Sequence, residues 1–105
     1  MPRPYSEKFL LGLHRSDSTR IGVQLAKACV KANLPAKYLA DALGVTRITV
    51  YGWFRGKPLR DKNQQYVETI VEQLEADIES LKLPVKSNYE AKKYLEELSE
   101  KYPRN

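Results

Sequence analysis

The stretch Ala36–Lys57, AKYLADALGVTRITVYGWFRGK, constrains this chain more than any other, because it reads as two short helices separated by one tight turn. Leu39, Ala40 and Leu43 fall at helical spacing and form an apolar stripe, with Lys37 and Asp41 away from it. Gly44 tolerates the left-handed conformation that ends a helix, and Val45 after it is placed to tuck between the two helices. Thr46 can cap a second helix running through Arg47, Ile48, Thr49, Val50, Tyr51, Gly52, Trp53 and Phe54, with Val50 and Trp53 inward. The small Ala40 allows two backbones to meet at a steep angle, which is helix-turn-helix geometry.

The combination of Leu39-Ala40, Gly44-Val45, Val50, Trp53 and Arg55-Gly56-Lys57 resembles the helix-turn-helix domain of the Cro/C1 repressor (XRE) family over residues 21–58. Members of that family commonly carry a glutamine where this chain has Ala36 and a glutamate where it has Phe54. The resemblance implies an all-α fold, a three-helix core over residues 19–60, and sequence-specific binding of double-stranded DNA. The second motif helix would lie in the major groove, with Thr46, Arg47, Ile48, Thr49 and Tyr51 toward the bases. Arg47 is the best candidate reader, since its planar fork can donate two hydrogen bonds to guanine O6 and N7. Ile48 or a threonine methyl can meet a thymine methyl. Lys37, Arg55 and Lys57 are placed for phosphates, whereas Lys27, Lys31 and Arg60 are read as solvated by default. Gly52 occupies a position where such repressors often present another base-contacting side chain, so either the backbone approaches closely there or that contact is lost.

Charge is polarised along the 105 residues. Residues 1–62 carry twelve basic and four acidic side chains, and residues 63–105 carry six and nine. A basic first half suits a polyanion and an acidic second half suits a protein contact. The single cysteine, Cys29, excludes an intramolecular disulfide, and no segment approaches the length of a bilayer span. The expected setting is a reducing cytoplasm, with no membrane partner.

Around the motif, residues 1–18 read as an arm and a short helix. The arm, MPRP with Arg3, is either a frayed terminus or a segment that reaches a DNA minor groove. Ser6 can cap a helix carrying Phe9, Leu10 and Leu13, which needs the core or a second subunit to pack against. Ser18 or Thr19 can cap a scaffold helix over residues 20–32, with Ile21, Leu25, Ala28, Cys29 and Ala32 on its inner face and Asn33 in a left-handed cap. Residues 61–105 read as a helical oligomerisation or interaction region. A long helix over residues 62–82 carries Val67, Val71, Leu74, Ile78 and Leu81 at alternating spacings of four and three, the seam of a coiled coil. Tyr66 and Ile70 widen that stripe. Ser87 and Glu90 form a capping box for a last helix with Ala91, Tyr94, Leu95, Leu98 and Tyr102 on one side, giving a helical hairpin. The seam therefore has two possible occupants, a second copy of the chain or this last helix.

Catalytic chemistry has no positive support. His14 sits in a polar loop, Cys29 reads as a small buried hydrophobe, and Glu68, Glu72, Glu75 and Glu79 form a solvated helix face. The expectation is no enzyme, no cofactor and no metal. Three readings remain: a DNA-binding regulator acting as a homodimer, a DNA-packaging subunit of the small-terminase kind that assembles as a ring, and an antitoxin whose acidic half grips a protein partner.

Overall fold

A computed structural model describes residues 4–103 as six helices, and no strand occurs among the described residues. The helices are α1 (Glu7–His14), α2 (Ile21–Ala32), α3 (Ala36–Leu43), α4 (Arg47–Phe54), α5 (Asp61–Glu79) and α6 (Asn88–Lys101), which hold 69% of the described residues. Arg3 and the rest of the N-terminal arm before Pro4 lie outside the described residues.

One local device recurs at the helix ends. Asn33 (φ 59°), Gly44 (φ 70°), Gly56 (φ 97°) and Leu81 (φ 68°) all follow a helix in the left-handed conformation. In each case the next amide reaches back to a carbonyl near the helix end: Leu34 N to Cys29 O at 2.9 Å, Val45 N to Ala40 O at 3.0 Å, Lys57 N to Gly52 O at 3.1 Å and Lys82 N to Asp77 O at 2.9 Å. These are Schellman turns, which satisfy the last carbonyls and redirect the chain within two residues. Asn33 and Gly44 behave as the sequence predicts. Helix starts are less uniform. Ser6, Thr46 and Ser87 accept bonds from Phe9 N, Thr49 N and Glu90 N, but Arg20, at the cap position of α2, makes no side-chain cap bond. Asp17 instead accepts from Thr19 N at 2.9 Å and Thr19 Oγ1 at 2.7 Å, closing a turn just before the helix. Those bonds hold the Asp17 carboxyl below its ordinary range.

Helix α2 is the axis of the molecule. Val23, Leu25, Ala26, Ala28, Cys29 and Ala32 are buried around it, and α1, α4 and α5 all pack on it. Its small residues let those neighbours approach closely. The corner after α2 is tied from afar by three bonds: Tyr5 donates its hydroxyl to Leu34 O at 2.6 Å, Val85 N donates to Ala32 O at 3.1 Å, and Asn33 Nδ2 donates to Val85 O at 3.3 Å. Burial of the Tyr5 ring raises its hydroxyl pKa well above the usual tyrosine range.

The expected seam of α5 is filled, but by neither expected occupant. Val67, Ile70, Val71 and Leu74 are buried in the single chain, and the helix packing on α5 is α2. Each such side chain contributes about 1.5–3 kcal/mol by leaving water. Ile78 is half-buried, and Leu81 lies beyond the helix, which stops at Glu79 rather than Lys82, with its side chain 87% exposed. The residues read as an oligomerisation seam are thus mostly interior, because a four-three spacing is the same whether the partner helix belongs to another chain or to the chain's own core.

Helix α6 lays Ala91, Leu95 and Leu98 into the core beside α3. Its link to α5 is polar. Tyr94 donates to the Asp77 carboxylate, Gln73 Nε2 donates to the same carboxylate at 3.0 Å, Tyr102 donates to Gln73 Oε1 at 2.8 Å, and Tyr66 donates to Tyr102 O at 2.8 Å. Burial, then the bond to Asp77, pushes the Tyr94 hydroxyl above its ordinary range.

Candidate functional site

Helix α4 has one face locked into the core and one left open. Val50, Trp53 and Phe54 are buried, while Arg47, Ile48, Thr49 and Arg55 are exposed, Ile48 at 86%. Arg47, Ile48, Tyr51 and Arg55 fall on one stripe of the helix, which places Arg47 and Arg55 about 12 Å apart along its axis. An isoleucine this exposed between two arginines contributes nothing to the fold by burial.

The two threonines at the start of α4 serve it locally. Thr46 Oγ1 accepts from Thr49 N at 3.1 Å and lies 3.0 Å from Thr49 Oγ1, so both hydroxyls are engaged with each other, though exposed. Their methyls remain at the surface.

Tyr51 has a different surrounding from that of a free reading side chain. It is half-buried, with its ring edge-on to Phe9 at 5.7 Å and to Phe54 at 5.6 Å. Phe9 stacks on Tyr5 at 5.1 Å, and Phe54 meets both of these rings. This four-ring cluster anchors α1 to α4. It also accounts for an aromatic residue at position 54: Phe54 is 1% exposed and meets the rings of Phe9 on α1 and of Tyr5 ahead of it.

At the other end of α4, Lys57 is exposed and lays its stem across Gly52, where an added Cβ would meet Lys57 Cδ at 3.2 Å. Gly52 is buried by that stem. Lys37 is exposed in the first turn of α3, 5.9 Å from the Tyr38 ring. Among the described residues, Arg47, Arg55 and Lys57 have no carboxylate partner.

Two grooves flank this surface and differ in sign. On the α5 side, a groove of about 420 Å³ is lined by Arg20 and Lys57 but also by Glu68, Glu72 and Glu75. On the α1 side, a groove of about 290 Å³ is lined by Lys8 and Arg55. The cationic surface is bounded by carboxylates in one direction and continues in the other.

The remaining candidates are accounted for by their surroundings. Cys29 is fully buried, and burial pushes its thiol up to about 12, far from a reactive thiolate. His14 is exposed in the last turn of α1. Among the described residues no group of His, Cys, Asp or Glu is arranged to hold a metal ion, and no helix is long and apolar enough to cross a membrane. Asp77, 7% exposed, is the buried carboxylate that sequence reasoning missed; it lies seven residues after Ile70, hence on the same inner stripe. No protein-family model, curated protein or solved structure matches the chain.

Proposed function

We propose that this protein is a sequence-specific double-stranded DNA-binding regulator of the Cro/C1 type, with α4 entering the major groove. The observation that carries the reading is the open stripe of α4, where an 86%-exposed Ile48 stands between Arg47 and Arg55 on a helix whose opposite face is fixed in the core. Groove recognition needs a rigid helix presenting donors and methyl groups at its N-terminal end, and Arg47, Ile48, Thr46 and Thr49 supply those there. Arg47 pairs with guanine and Ile48 packs on a thymine methyl. Arg55, Lys57 and Lys37 neutralise phosphates and set the register.

Tyr51 enters this reading as a positioning residue, because its ring meets both Phe9 and Phe54. Specificity then rests on fewer side chains than the resemblance implies, chiefly Arg47 and Ile48. Regulation follows from occupancy of the site, with no covalent change to the DNA. A second copy on an adjacent half-site would meet the first through a surface other than Val67, Val71 and Leu74, which are interior.

Selection from a random duplex pool tests the reading. Enrichment of one short sequence supports it, and a pool that stays random through successive rounds overturns it.

A further inference from the structure

The groove between α1 and the end of α4 has the makings of a backbone-binding channel. Its walls are Lys8 on α1 and Arg55 at the end of α4, both exposed, and no carboxylate is among the described residues that line it. Its floor includes Gly12, which is exposed, and a Cβ built there would meet nothing within 4 Å. Lys8, Gly12 and Arg15 recur at spacings of four and three, so one face of α1 carries two cations with a bare backbone between them. The groove cannot drift relative to α4, since Tyr5, Phe9, Tyr51 and Phe54 fix the two helices together.

We propose that this groove holds the sugar–phosphate backbone of duplex DNA beside the major groove that α4 enters, with Lys8 and Arg55 on either side of the strand. The inference rests on the DNA-binding reading above and adds α1 to the contact surface. Charge decides the occupant. The groove on the opposite flank sets three glutamates against Arg20 and Lys57, whereas this one is lined by two cations with no counter-charge and is the better match for a phosphodiester. Gly12 matters for a separate reason: a larger side chain on the floor would hold the strand away from both cations.

The test uses the full chain and two duplexes, the selected sequence and a random one, titrated over a range of salt. Gly12→Glu keeps the fold, because the position is open, and should weaken binding to both duplexes by the same factor of about three to ten. Lys8→Ala should lower the slope of log affinity against log salt by about 0.9, the signature of one lost phosphate contact. Gly12→Leu, bulky but uncharged, should likewise weaken binding to both duplexes by holding the strand away from the two cations. If the wild-type chain binds both duplexes and all three variants keep its affinity and slope, the groove is not a backbone site while the DNA reading stands. If the wild-type chain binds neither duplex at low salt, both fail together.

Discussion

Gly22 on α2 lies directly against the carbonyl of Trp53 on α4: a methyl group at position 22 would sit 2.2 Å from that oxygen and 2.7 Å from the carbonyl carbon. The two helices therefore meet backbone to backbone, and this contact fixes how far α4 stands from the axis of the molecule. Gly22→Ala should force α4 outward, since the obstructing atoms are main chain and cannot rotate away. The expected cost is about 2–3 kcal/mol or more, despite the better helix propensity of alanine. Thermal unfolding followed by circular dichroism checks it, and an unchanged midpoint would mean that the helices are further apart than described.

Leu81 should behave in the opposite sense. It holds a left-handed conformation at the end of α5 while its side chain is 87% exposed, so it carries backbone strain with little burial in return. Leu81→Gly relieves that strain, offset in part by the greater freedom of glycine in the unfolded chain, for a net gain of about 0.5–1 kcal/mol. Urea unfolding of the two proteins measures the difference. A loss of stability would show that Leu81 makes contacts its exposure does not reveal.

Tyr94 and Asp77 hold α6 to α5. Tyr94→Phe keeps the ring but leaves the buried carboxylate with Gln73 Nε2 as its remaining side-chain donor. A bond to a charged group in such a place is worth about 1.5–3 kcal/mol. Hydrogen exchange should show α6 amides losing protection first, ahead of those of α2. Equal loss throughout the chain would place α6 in one cooperative unit with the rest.

Alkaline pH should unfold the protein through its buried acids. Cys29 is pushed from 9.0 up to about 12 by burial, and Tyr5 and Tyr94 are raised above 10.0 chiefly by burial. Below these unfolded values every group is neutral in both states, and the full stability is present. As pH rises further, the unfolded chain ionises while the folded one does not, so stability falls. For Cys29 the window runs from pH 9.0 to about 12 and amounts to about 4 kcal/mol. Cys29→Ala should flatten that part of the pH–stability profile measured by urea unfolding. An unaltered profile would assign the alkaline loss to the tyrosines alone.

Much of the fold could be read from local chemistry. Asn33, Gly44, Thr46 and Ser87 act at their helix ends through their own backbone preferences or hydroxyls, which do not depend on distant residues. The inward direction of Val67, Val71 and Leu74 was equally legible, because periodicity gives a facing. Periodicity does not name the partner, and α2 rather than a second chain or α6 covers them. Tyr51 shows the same limit from the other side. Its position on the outer stripe of α4 was clear, but the approach of Phe9 from an added helix is a long-range contact with no local signature. Gly22 and Asp77 were missed for the same reason, since each is defined by what another helix brings to it. Leu81 reversed its expected role because a Schellman turn can be built on a residue other than glycine or asparagine, at the cost of strain.

In the proposed function Arg47 reads a base from the open face of α4. The direct measurement is the affinity of wild type and Arg47→Ala for the selected duplex and for a random duplex at one fixed salt concentration. The substitution is expected to cost about 1–3 kcal/mol on the selected sequence, with much less lost on random DNA and an unchanged melting temperature. Equal losses on both duplexes would place Arg47 among the phosphate contacts and contradict the claim.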